Sequence, residues 1–142
     1  MIVYKCIIQR VFKTLIEIKD FKGYFISDEG KVFCNLGRGN RNKDKTVPLY
    51  ELKSRLTKNG YLRIYARQNS TNKRKDLYIH RLVALYFIPN PLNKKYVNHK
   101  NCNRSDNRVE NLEWVTAKEN TEYTFKMNHI RRDEISGRYK SA

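Results

Sequence analysis

Three cysteines in 142 residues, Cys6, Cys34 and Cys102, are too few, odd in number and too far apart for a disulfide framework or a Cys-x-x-Cys zinc clip. No structural zinc is expected. Long apolar runs are missing too. Nothing approaches the roughly twenty residues that span a bilayer, and no strongly amphipathic basic helix stands out for a membrane surface. Lys5, Arg10 and Lys13 interrupt the apolar residues of the N-terminal stretch, which rules out a convincing export signal. Together these absences point to an intracellular protein without a membrane partner. Residues 1–16 read as an extension, an edge strand or short helix covering the core, with an organelle-targeting role ranked below that.

Acidic residues are the other shortage. Against 30 Lys and Arg stand 14 Asp and Glu, a net charge of +16 distributed along the whole chain rather than gathered in a tail. A charge run is usually a solvated face, but an excess of this size in a short chain points to a polyanionic partner, nucleic acid before membrane. The length allows one ordinary domain or two small modules sharing a core, and two modules is the preferred reading.

The stretch that can carry chemistry is 96–126. Tyr96-Val97-Asn98-His99 is rich in β-formers, and Pro89 and Pro91 close off whatever helix precedes it, so it reads as a strand. Residues 112–116 form the returning strand. Between them, 100–111 is crowded with Asn, Asp, Arg and Ser, whose side chains bond nearby backbone and favour a loop. Thr116-Ala117-Lys118-Glu119 has the form of a capping box, which starts a helix at Ala117 and puts Asn120 in its first turn. This strand-loop-strand-helix frame can hold Asn98 and His99 opposite Asn120, with a cation between them. A histidine with an ordinary pKa of about 6.5 is largely neutral at pH 7 and can take a proton from water. The plainer reading makes Asn98, Asn107 and Asn111 turn-formers and His99 a hydrogen-bonded, partly buried histidine.

Asn98-His99, Asn111-Leu112-Glu113-Trp114-Val115-Thr116 and Glu119-Asn120 together resemble the HNH endonucleases, in the subgroup typical of phage and intron-borne homing enzymes. The resemblance implies a ββα-metal fold and hydrolysis of phosphodiester bonds in duplex DNA, by nicking or cleavage. By position it implies His99 as general base, Asn111 as the residue that orients it, and Asn98 and Asn120 as ligands of Mg²⁺ or another divalent cation such as Mn²⁺. Family members often carry aspartate at the position of Asn98 and histidine at that of Asn120. Here both ligands are neutral amide oxygens, which hold a hard cation more weakly. A protein that keeps the DNA-binding module but has lost cleavage is therefore the alternative. The gene is expected to belong to a phage, virus or mobile element, and the protein to act as a monomer.

Upstream, 17–35 reads as two short strands, 24–27 and 31–34, joined by a turn at Asp28-Glu29-Gly30. Gly23-Tyr24, Ile26-Ser27 and Gly30-Lys31-Val32 resemble a small module found ahead of HNH domains, although the tryptophan usual near its start is absent. The basic stretch 37–43 either follows a phosphate backbone or is a plain disordered loop. Leu52 and Leu56, a turn at Lys58-Asn59-Gly60 and the alternation Tyr61-Leu62-Arg63-Ile64-Tyr65 make a hairpin with a basic, aromatic face. A cationic loop, 67–75, leads on to the strand 77–79. Such a ribbon can enter a major groove, or be a half-buried sheet with ordinary cationic surface.

Residues 80–88 form a helix ended by Pro89, nearly all apolar after Arg81 and so the central core element. Its His80-Arg81-Leu82-Val83-Ala84 string also recurs in the HNH subgroup. His80 suits a structural hydrogen bond or a phosphate contact better than a base role, and Arg81 suits a phosphate. With Arg81, the candidate DNA contacts are Arg41, Arg63, Lys100, Arg104 and Arg108. The expected fold is α+β: an extension (1–16), a small antiparallel β-sheet module that binds DNA (17–75), a ββα-metal nuclease module (76–128) and a basic C-terminal tail (129–142).

Overall fold

The computed structural model describes residues 14–36 and 46–136. Four antiparallel strands, β1 (Leu15–Glu17), β2 (Tyr24–Ser27), β3 (Val32–Leu36) and β4 (Thr46–Glu51), make a first sheet in that order. A second sheet follows, β5 (Arg55–Leu56), β6 (Leu62–Arg67) and β7 (Arg74–Tyr78). Helix α1 (Ile79–Phe87) then leads to the hairpin β8 (Tyr96–His99) and β9 (Leu112–Val115), and helix α2 (Ala117–Ser136) ends the described chain. The fold is α+β, as the sequence implies.

The β2–β3 hairpin turns where Gly30 adopts φ +75°, a left-handed conformation that costs a side-chain-bearing residue strain. Ile26 and Val32 sit opposite each other in that hairpin and are both buried in the core. The strand β4 was not legible in the sequence, because Pro48 argues against a ladder. It is accommodated because β4 is the edge of its sheet, and a bulge opposite it shifts the register between Cys34 and Leu36. The cationic loop expected over 67–75 is there but shorter, 68–73: Arg67 pairs with Arg74 and Ala66 with Lys75, so the next strand starts at Arg74, and Ile79 begins the helix instead of ending the strand. Five consecutive pairings along β6 outweigh the low strand preference of Arg, Lys and Asp.

Helix α1 carries the packing. Ile79, Leu82 and Val83 bury one face against Ile26, Val32, Ile64, Ala66 and Leu112, so a single apolar cluster draws on both sheets and on the hairpin. The opposite face is open: Leu85 is 67% exposed. The Ile88 N–H still bonds the Ala84 carbonyl at 3.1 Å, and Pro89, with no N–H to give, follows at once. Trp114 in β9 ties the hairpin to that helix end through an Nε1–H bond to the Ile88 carbonyl at 3.1 Å. The second helix runs past Lys126 to Ser136, into the stretch read from sequence as a tail. Among the described residues no helix is long and apolar enough to cross a membrane.

Candidate active site

Strand β8 ends in two buried polar residues, Asn98 and His99, paired across the hairpin with Glu113 and Leu112. The capping box forms as its sequence indicates. The Thr116 N–H donates to Glu119 Oε2 at 2.7 Å and the Glu119 N–H to Thr116 Oγ1 at 3.2 Å. The Thr116 N–H, followed by Lys94, holds the Glu119 carboxyl down at about 2. A helix started at this point carries Asn120 and, three residues on, Tyr123 to the same opening as Asn98 and His99, a cleft of about 750 Å³ also lined by His80, Arg81 and Arg104. The Tyr123 hydroxyl donates to the Lys100 carbonyl, fastening α2 to the loop just beyond His99.

The ring of His99 is held by Asn107. His99 Nε2 lies 3.1 Å from Asn107 Oδ1, and Asn107 Nδ2 donates to the Ser105 carbonyl at 3.3 Å. With the amide nitrogen engaged on a carbonyl, the amide oxygen faces the imidazole. The neutral ring then donates from Nε2 and keeps the basic lone pair on Nδ1. Burial pushes the His99 pKa below its ordinary value, and Arg104 adds to this; the Asn107 bond and Asp106 pull the other way. At neutral pH the imidazole is unprotonated.

The expected orienter, Asn111, does not touch this ring. Its Nδ2 donates to the Asp106 carbonyl at 2.7 Å and its Oδ1 accepts the Asn101 N–H at 3.0 Å. It therefore closes the loop that carries Asn107, and any influence on His99 passes through that loop. Sequence reading treated Asn107 only as a turn-former. Nothing in its local spacing distinguishes it from the other loop asparagines, because its role arises only when the loop closes.

A row of rings backs His99. The His80 ring lies 5.3 Å from it and 4.8 Å from Tyr61, and the Arg104 guanidinium sits 5.0 Å above Tyr61. His80 is buried with no hydrogen-bond partner on Nδ1 among the described residues, so it makes no structural hydrogen bond there. Burial, then His99 and Arg81, lowers its pKa to about 4, which keeps it neutral beside the other imidazole.

The remaining candidate cations divide. Arg81 and Arg104 line the cleft. Lys100 is exposed and donates to the Glu110 carbonyl at 3.0 Å. Arg108 is occupied: it grips Asp106 through Nε and Nη2 at 2.9 Å each and reaches Glu110 at 2.8 Å, and this grip holds the Asp106 carboxyl near 2. Arg63 is paired with Asp76 at 2.7 Å and stacked 5.1 Å over Tyr65. Both are poorer phosphate partners than sequence reading assumed, since their charge is already offset. Arg41 lies outside the described residues.

For a divalent cation, the donor set is neutral but arranged. Asn98 Nδ2 donates to Glu113 Oε1 at 2.9 Å, and a carboxylate only accepts, so the amide oxygen of Asn98 is left for other partners. Glu113 in turn supplies negative charge one hydrogen bond away from that amide. Asn98 and Asn120, on one cleft, fit a hard, oxygen-seeking ion bound weakly by the protein alone.

Comparison with known proteins points to one family. The HNH endonuclease family model matches residues 77–122. Over 117 residues the chain is 40% identical to an uncharacterised HNH endonuclease of Acanthamoeba polyphaga mimivirus, covering 81% of this chain and 26% of that protein. Over 107 residues it is 35% identical to the DNA endonuclease I-HmuI of Bacillus phage SP01, covering 75% of this chain and 54% of that enzyme. The solved structure of the homing endonuclease I-HmuI, described as DNA binding and cleavage, superposes with a TM-score of 0.58 at 30% identity, over 86% of this chain and 68% of that one. The chain belongs to the HNH endonuclease family. It spans about a quarter of the viral relative and about half of the phage one.

Proposed function

We propose that this chain is a homing-type endonuclease that hydrolyses phosphodiester bonds of duplex DNA with the help of Mg²⁺ or Mn²⁺. The observation that carries the reading is His99, buried, neutral and fixed by Asn107 on the same cleft as Asn98 and Asn120. In this reading His99 removes a proton from the attacking water at Nδ1, while the Nε2–H bond to Asn107 fixes the tautomer and steadies the imidazolium as it forms. Arg81 and Arg104 draw the scissile phosphate into the cleft. Asn98 and Asn120 would hold the cation, which when bound offsets charge building on the phosphate and leaving oxygen. The phosphate brings the negative charge that the amide ligands lack. Relatives from a phage and a giant virus support placing the gene on a mobile element.

A second reading, a DNA-binding protein that has lost cleavage, draws on one feature. The ligand pair is uncharged, and among the described residues no group of three or more His, Cys, Asp or Glu could hold a metal. Incubation with supercoiled plasmid separates the two. Relaxation with Mg²⁺, abolished by EDTA and reduced on the order of 10²- to 10⁴-fold by His99→Ala at unchanged DNA affinity, supports the nuclease. Binding without relaxation at any Mg²⁺ or Mn²⁺ concentration supports the second reading.

A further inference from the structure

The N-terminal hairpin reaches into the catalytic loop at one place. A methyl group built on Gly30 would lie 2.7 Å from Asn107 Cβ and 2.8 Å from the Asn107 carbonyl oxygen, closer than real side chains come. Two residues away on each side, the Val109 N–H donates to the Asp28 carbonyl at 2.9 Å. The turn between β2 and β3 thus makes backbone-level contact with the residue that holds His99. We propose that this turn is a positioning element for the base: Gly30 leaves the space Asn107 needs, the Asp28–Val109 bond fixes the loop against it, and Asn107 transmits the placement to the His99 ring. The upstream sheet, on this view, completes the nuclease site. The inference rests on the nuclease reading for its effect on rate, but not for its effect on the ring.

Gly30→Ala tests it, with Gly23→Ala as the matched control. Both glycines have positive φ, +75° and +81°, and both lack room, but a methyl on Gly23 would meet Asn35 and Leu36 rather than the loop. Both variants should melt lower than wild type. At a temperature where both are folded, with protein in saturating excess over plasmid, Gly30→Ala should cleave at least about tenfold more slowly with DNA affinity within twofold, while Gly23→Ala keeps the wild-type rate. Where Gly30→Ala does not fold, Val109→Pro takes its place. It deletes the N–H that bonds Asp28, at the first position of a short 3-10 turn whose preceding residue is already extended, where proline is tolerated. The imidazole ¹⁵N resonances of His99 in the DNA-free protein give a readout independent of cleavage. They should move in Gly30→Ala and Val109→Pro and stay in Gly23→Ala. Unmoved resonances in both loop variants, or equal rate losses in Gly30→Ala and Gly23→Ala, overturn the proposal. A wild type that fails to cleave, with the resonances moving as expected, overturns the nuclease reading and leaves the positioning role standing.

Discussion

His99 and its partner define what the site does with pH. Burial of the ring lowers its pKa, so the base-competent neutral form persists below the ordinary histidine value. Since kcat/KM reports the free protein, its acid limb should have a midpoint below about 6.5. A midpoint at or above that value would mean that the titrating group is not the buried His99. At Asn98, the ligand proposed beside it, the expected effect of Asn98→Asp follows from Glu113. The substitution removes the amide donor and sets two carboxylates at hydrogen-bond distance, which repel unless a cation or a proton intervenes. Asn98→Asp should therefore melt below wild type in EDTA and gain more from added Mg²⁺ than wild type does. Equal Mg²⁺-dependent shifts in Tm would place the cation away from Asn98.

At the scale of elements, the frame around the site depends on a few local devices. Leu112, 2% exposed, fills the core beneath the hairpin directly across from His99, so Leu112→Ala should cost about 2–5 kcal/mol of stability by the usual price of an emptied core site. Thr116→Ala removes the cap that starts α2 and with it Asn120 and Tyr123, at about 1 kcal/mol. Thermal melts check both, and a Thr116→Ala protein that melts like wild type would show that the start of α2 is set by packing rather than by the cap. The neutral histidines link the same elements to pH. His80 has its pKa lowered from 6.5 to about 4, so the stability its burial requires is present above pH 6.5 and is lost as pH falls through that window. His80→Phe should flatten the decline of Tm between pH 6.5 and 4.

For the whole molecule, the net charge of +16 is the dominant property. If phosphate contacts drive binding, log affinity for any duplex should fall linearly with log salt, with a slope of about −0.9 for each phosphate neutralised. Arg81→Ala and Arg104→Ala should each make that slope shallower, whereas Arg108→Ala, whose charge is met by Asp106 and Glu110, should change it little. A salt dependence near zero would remove the nucleic-acid reading altogether.

The features legible in the sequence are those whose cause lies within a few residues. The capping box at Thr116 and Glu119, the strand holding Asn98 and His99, the turn at Gly30, the helix stopped by Pro89 and the charge excess all follow from local chemistry, and the structure has each of them. The edge strand around Pro48 escaped because a neighbour's free edge, not its own residues, makes it possible. The partners of Arg108, Asp106 and Glu110, stand two residues away on either side and its pairing was open to a local reading, whereas Arg63 read as a free cation because its acidic partner is chosen by strand register. Which asparagine holds His99 was decided the same way. Asn107 and Asn111 are chemically identical, and only closure of the loop sets one on the imidazole and turns the other to the backbone. Sequence determined the elements around the site and the residue types that the site has to work with; tertiary structure decided the edge strand β4 and which polar groups meet, because a hydrogen-bond partner is fixed by distances of about 3 Å that no local pattern encodes.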